Sequence, residues 1–214
     1  MPTRDQIARQ IIDTCLAMNA SGLNQGTSGN ISYRFDGGML VTPSGIPYHK
    51  LSENHIVYVD QNGESETGKV PSTEWRFHLD ALKTRPELNA VIHTHSLNST
   101  AVSILNHPIP PVHYMISATG NTQIPCVPYA TFGTTELSQN VSAGLAKCKA
   151  TLIQHHGLIV MEANLEKALW LAEEVEVLAK LYLKLLPLGE VPVLSEKEIL
   201  VVIEKFKDYG LRKT

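Results

Sequence analysis

Residues 90–95 read Ala-Val-Ile-His-Thr-His, an apolar run closing on two histidines, and no other stretch limits the possible folds as sharply. Three consecutive apolar residues favour burial, whereas paired imidazoles favour solvent or a ligand. The segment is therefore expected to be a buried strand that reaches a surface at its C-terminal end. Side chains at i and i+2 of a strand leave on one face, so His93 and His95 can turn toward one ion without a bend in the backbone. Alone, the pair also fits two polar residues on a half-solvated strand face.

The surrounding text supplies strands and helices to build around it. Ile7, Ile11, Ile12, Cys15, Leu16 and Met18 keep near-helical spacing and predict an amphipathic helix over residues 3–20. Short strand-like runs follow at residues 30–35, 39–42 and 56–60, joined by turns such as Asp36-Gly37-Gly38, with the character of an antiparallel meander. Ser72 or Thr73 can cap a helix running to about Lys83, and a further helix is expected from about Asn98 to Leu105, which places the histidine pair between two helices. Residues 124–129 and 151–161 read as strands around a helix over residues 135–147. Residues 165–186 form a long helix, apolar around much of its girth, as expected for burial against both the sheet and a neighbouring surface such as another subunit. Ser195 with Glu198 is a capping-box pattern opening a last helix to about Lys207, followed by a polar tail. The expectation is one α/β domain over residues 1–214.

At 43% hydrophobic and 18% charged residues, the chain can bury a sizeable core and carries no charged tract that would keep it unfolded. Its formal charge of −3 is spread without a basic cluster, so nucleic acid is not an expected partner. Cys15, Cys126 and Cys148 are odd in number, widely spaced and without a Cys-x-x-Cys, as expected of reduced thiols in the cytoplasm. The opening residues lack a signal-peptide core, and Lys180 and Lys184 interrupt the longest apolar stretch, so neither export nor a membrane span is expected.

A third histidine signal, Gln154-His155-His156-Gly157, lies inside the apolar run of residues 151–160. Adjacent strand residues face opposite ways, so one of His155 and His156 could join His93 and His95, and spacing leaves open which. Glu74 can supply a fourth ligand; as a first-turn acid it equally suits a helix dipole. His78, four residues on, shares its helix face and could pair with Glu74 as a ligand, but Trp75, Phe77 and Leu79 around it favour a satisfied core or surface histidine. His49, His55, His107 and His113 stand singly and read as structural or exposed. Three histidines and a carboxylate suit zinc; the lack of nearby cysteine argues against a structural knuckle, and the lack of clustered carboxylates against a calcium or magnesium cage. Two loops rich in small residues, 26–30 and 42–45, together with Ser72-Thr73 before a helix, could cradle phosphate, although each alone also fits a plain turn and neither is a Walker motif.

Taken together, Gln25-Gly26-Thr27-Ser28-Gly29-Asn30, Thr42-Pro43-Ser44-Gly45-Ile46-Pro47-Tyr48, Ser72-Thr73-Glu74, His93-Thr94-His95, His113-Tyr114-Met115, Tyr129-Ala130-Thr131-Phe132-Gly133 and Gln154-His155-His156-Gly157 resemble the zinc-dependent class II aldolases along essentially the whole chain. The resemblance implies a central, mainly antiparallel β-sheet flanked by helices. It implies one zinc per subunit, held by Glu74, His93, His95 and His156, with Glu74 also the base. It implies phosphate contacts from Gly29, Asn30, Ser44, Gly45, Ser72 and Thr73, and an acid/base Tyr114 reaching the site of a neighbouring subunit in a fourfold-symmetric homotetramer. Phe132, Phe206 and Tyr209 would lie at the aldehyde end, the last two near a covering tail. The implied reaction is reversible retro-aldol cleavage of a ketose phosphate, with zinc stabilising the enediolate and no Schiff-base lysine. Pentulose-phosphate 4-epimerases and non-catalytic cytoskeletal proteins share the fold. The epimerases typically carry Asp where this chain has Glu74, and a binding-only relative would be expected to lose zinc ligands, so a lyase is favoured.

Overall fold

The computed structural model describes residues 2–206. Thr3 opens α1 (Arg4–Ala20) with a reciprocal capping box to Gln6. The chain then lays down β1 (Asn30–Phe35), β2 (Gly38–Val41) and β3 (Val57–Val59), followed by α2 (Trp75–Thr84), β4 (Ala90–Thr94) and α3 (Leu97–Ile104). A 3-10 helix at Tyr114–Thr119 leads to β5 (Cys126–Val127), α4 (Thr135–Leu145), β6 (Ala150–Ile153), β7 (Gly157–Glu162), α5 (Leu165–Leu185) and α6 (Glu196–Phe206). The seven strands form one sheet in the order β3-β2-β1-β4-β7-β6-β5. Every neighbouring pair is antiparallel except β5 with β6, so the expected mainly antiparallel sheet is what forms.

Helices cover both faces, which is why β4, β6 and β7 are buried along their whole lengths. Alternation divides β4 between two cores. Ala90 and Ile92 pack with Ile31, Leu158 and Val160 against α1 and α5, whereas Val91 packs with Met39, Ile159 and Met161 against α2 and α4. A fully buried medium or large side chain contributes about 1.5–3 kcal/mol, so each core residue of β4 helps fix the register that sets His93. No helix among the described residues is long and apolar enough to cross a membrane.

Three expectations need correction. Residues 151–161 are a hairpin, not a continuous strand: Ile153 pairs with Gly157, and the His156 amide donates to the Ile153 carbonyl at 3.1 Å to close a β-turn. The turn was hidden because its left-handed residue is His155 (φ 55°) rather than the Gly or Asn that usually signals one. The strand expected over residues 124–129 shrinks to Cys126–Val127, an edge strand. At α2 neither Ser72 nor Thr73 takes the cap position; Glu74 does, with its side chain turned away from the helix amides.

Candidate metal centre and substrate cleft

Four elements converge at one end of the sheet. Asn30 opens β1 directly across from His93 on β4, and His95 follows where β4 runs out, so the pair leaves a buried strand as its alternation requires. The β6–β7 turn delivers His156, and the start of α2 delivers Glu74, whose backbone (φ −101°, ψ 10°) lies in the sparsely populated bridge region. The ligand atoms of Glu74, His93, His95 and His156 all lie within 4.8 Å of one another. Glu74 Oε1 is 3.1 Å from His156 Nε2, and Oε2 is 3.4 Å from His93 Nε2. The three imidazoles meet edge to face, with centroids 4.8–4.9 Å apart.

These atoms suit a cation. His93 Nδ1 donates to the Leu158 carbonyl at 2.9 Å, because a carbonyl can only accept, and this leaves the Nε2 lone pair aimed inward. His95 Nε2 stands 3.0 Å from it, close enough for both nitrogens to face one small ion. Glu74 Oε1 is buried and accepts no hydrogen bond, an orphan that a metal would satisfy. Burial pushes the His93 imidazole down to about 3 and lowers His95 as well, so both are neutral at ordinary pH, the form a metal requires. Burial would raise the Glu74 carboxyl, but His93, His156 and Asn30 outweigh it and hold the group well below the usual carboxylate range.

Behind the ligands runs a buried polar chain. Asn30 Nδ2 donates to Glu74 Oε2 at 2.8 Å, Asn30 Oδ1 lies 2.5 Å from His78 Nε2, and His78 Nδ1 lies 2.8 Å from Ser32 Oγ. His78 is thus a satisfied histidine rather than a ligand, and of the core and surface placements its apolar neighbours allowed it takes the core. Thr94 points away from the cluster, as alternation requires, and its hydroxyl donates to the Leu23 carbonyl at 2.6 Å, tying β4 to the segment that leads into the small-residue loop.

Beside the ligands opens a cleft of about 270 Å³. Gly29, Asn30, Ser44, Gly45, Ser72, Thr73, Glu74, His95, His156 and Phe132 all line it, so the loops expected to cradle phosphate stand next to the histidine and glutamate cluster. Thr27 and Ser28 of the 26–30 loop line it too, as does Tyr48, and none of the three was expected individually as a phosphate contact. Tyr48 is buried, and its hydroxyl donates to the Gly29 carbonyl, pinning the loop; its only sequence signal was an aromatic after Gly45-Ile46-Pro47. Two glycines are sterically required. A Cβ at Gly29 would sit 2.7 Å from the His93 carbonyl oxygen, and one at Gly157 would sit 2.5 Å from the Thr94 carbonyl oxygen and 3.1 Å from His95 Cδ2. Tyr114 is not brought to this cleft within one chain. It is 49% exposed and lines a separate cavity with Trp170, Lys149 and Phe206. Tyr209 lies outside the described residues.

A mainly antiparallel sheet clad in helices, with three histidines and a glutamate converging beside a small-residue cleft, is the arrangement of a lyase of the class II aldolase type with a candidate metal site, and comparison places the chain in that class. Residues 9–183 match the family described as Class II Aldolase and Adducin N-terminal domain, and the chain belongs to that family. It is 65% identical to an L-fuculose phosphate aldolase of Escherichia coli O6:H1, with 98% of each chain covered. It is 58% identical to a 5-methylthioribulose-1-phosphate/5-deoxyribulose-1-phosphate aldolase of Escherichia coli O45:K1, over 98% of this chain and 99% of that one. A solved structure of an L-fuculose 1-phosphate aldolase superposes with a TM-score of 0.92 at 35% identity, covering 97% of this chain and 98% of that one.

Proposed function

We propose that the chain is an L-fuculose-phosphate aldolase, cleaving L-fuculose 1-phosphate reversibly to dihydroxyacetone phosphate and L-lactaldehyde. The observation that carries the reading is the convergence of Glu74, His93, His95 and His156 beside the loops at Gly29, Ser44 and Ser72-Thr73. Three neutral imidazoles and one carboxylate suit zinc, one per subunit. Zinc bound there supplies Lewis-acid charge to the electron pair that carbon–carbon cleavage leaves on the phosphate-bearing fragment.

The chain's own residues perform the remaining work. Gly29, Asn30, Ser44, Gly45, Ser72 and Thr73 hold the phosphate by hydroxyls, amide groups and backbone N–H donors that small residues allow to approach. Glu74, beside both the histidines and the cleft, returns a proton to carbon after cleavage and removes it in the aldol direction. Tyr114 takes the proton from the C4 hydroxyl as the bond breaks. Its exposure away from its own chain's cleft fits a role in the site of an adjoining subunit, within a homotetramer whose sites lie at interfaces. Phe132, 62% exposed at the rim of the cleft, suits the aldehyde end, joined by Phe206 and Tyr209 from the neighbouring tail. Three free thiols fit a cytoplasmic setting.

A second reading keeps the same bond and phosphate but changes the aldehyde, because a relative 58% identical acts, by its name, on 5-methylthioribulose 1-phosphate and 5-deoxyribulose 1-phosphate. Assaying a panel of those two esters, L-fuculose 1-phosphate and a pentulose 5-phosphate for released aldehyde against epimerised product decides among them. The expected result is the highest kcat/KM for L-fuculose 1-phosphate with lactaldehyde released. Preference for a deoxyribulose ester would move the assignment to the second reading, and epimerisation without release would overturn both.

A further inference from the structure

His78 is wholly buried and enters the site neither as ligand nor as acid or base, yet it touches the side chain that holds Glu74. Asn30 and Ser32 lie two residues apart on β1 and share the face that α2 covers, and His78 reaches both from α2. The direction of the resulting chain is fixed from its acidic end. A carboxylate only accepts, so the Asn30 nitrogen must face Glu74 and its oxygen must face His78. His78 Nε2 must then donate, which leaves Nδ1 to accept from the Ser32 hydroxyl. Every donor points toward Glu74.

We propose that His78 is a positioning residue for Glu74: held by Ser32 in the Nε2–H form, it locks the Asn30 amide with its nitrogen toward Glu74 Oε2 and keeps Oε1 turned toward His156 and the cleft. An unsupported amide has a second orientation, half a turn away, in which its oxygen would oppose the carboxylate. The Nε2–H of His78 removes that alternative. The inference rests on the role proposed above for Glu74.

Two variants separate positioning from bulk. His78→Met fills the volume without a donor, whereas His78→Gln can donate its amide to Asn30 and accept from Ser32. His78→Met is expected to keep one zinc per chain while kcat for ketose-phosphate cleavage falls about tenfold or more, with KM changed less, the loss typical of residues that orient a metal's ligands. His78→Gln is expected to recover most of that loss. Equal losses in both variants, or an unchanged kcat in His78→Met, would overturn the proposal. Should His78→Met fail to fold, nitrogen-15 shifts of His78 in the wild-type, metal-free protein decide the matter. A protonated Nε2 with a bare Nδ1 at neutral pH is expected, and an Nδ1–H tautomer or a doubly protonated ring would contradict it. A wild-type protein that cleaves no ketose phosphate fails the functional reading instead, and the tautomer still decides whether the relay exists.

Discussion

Neighbouring histidines with opposite fates show what a single position decides. His156 stands 3.1 Å from Glu74, while His155 is exposed with φ 55°. Strand alternation correctly indicates that only one of them joins the cluster, but for the wrong reason, because the two occupy a turn. His156→Ala is expected to abolish zinc binding and His155→Ala to leave it near one per chain, as read by metal content after dialysis. Gly157 is decided by space. Gly157→Ala would drive a methyl into the Thr94 carbonyl and the His95 ring, at a cost of about 1–3 kcal/mol and with loss of zinc occupancy, checked by urea unfolding and metal analysis. Buried imidazoles also set a pH response. In the zinc-free fold, burial lowers His78 and His93 from 6.5 to about 3, so the unfolded chain binds more protons across that window. Stability therefore falls as pH drops from 6.5 toward 3, and the lowered Glu74 carboxyl adds a further loss below 4.5. A urea midpoint at pH 5 equal to that at pH 7 would contradict this.

At the scale of elements, legibility followed periodicity. The opening helix, β1, β4, α4 and the long α5 carry regular apolar spacing, and their positions could be read from the sequence. What could not be read were features made by contacts distant in sequence. The start of α2 is one, since Glu74 faces the histidines instead of the helix amides. The anchoring of α3 is another. Ser96 gives its N-terminus no side-chain cap; Glu176 from α5 accepts from the Asn98 and Ser99 amides at 2.8 and 2.9 Å and from both side chains at 2.7 Å. Because α3 begins two residues after His95, this clamp also steadies the end of the strand that carries the histidine pair. Glu176→Ala is expected to lower stability by about 1–3 kcal/mol in urea, since it strands buried donors, with Glu176→Gln losing less.

At the scale of the molecule, the site is assembled from both halves of the chain: Asn30 and Glu74 from the first half, His156 from the second, and β4 between them at the centre of the sheet. The His93/His95 pair and the small-residue loops were legible because strand spacing and loop composition are local, whereas spacing left open which of His155 and His156 joins them. It could not show that Tyr114 and Phe206 share a cavity apart from the cleft, since that follows from how α6 and the 3-10 helix pack. If neighbouring subunits complete one another's sites, Glu74→Gln and Tyr114→Phe chains, each impaired alone, should regain part of the wild-type rate when refolded together, and no recovery would mean that each chain works by itself. If Glu74, His93, His95 and His156 hold the ion on which cleavage depends, dihydroxyacetone phosphate release from L-fuculose 1-phosphate should follow zinc as it is titrated into verified metal-free protein. No release without metal and full recovery at one zinc per chain are expected; an undiminished rate in the metal-free protein would overturn the proposed metal centre.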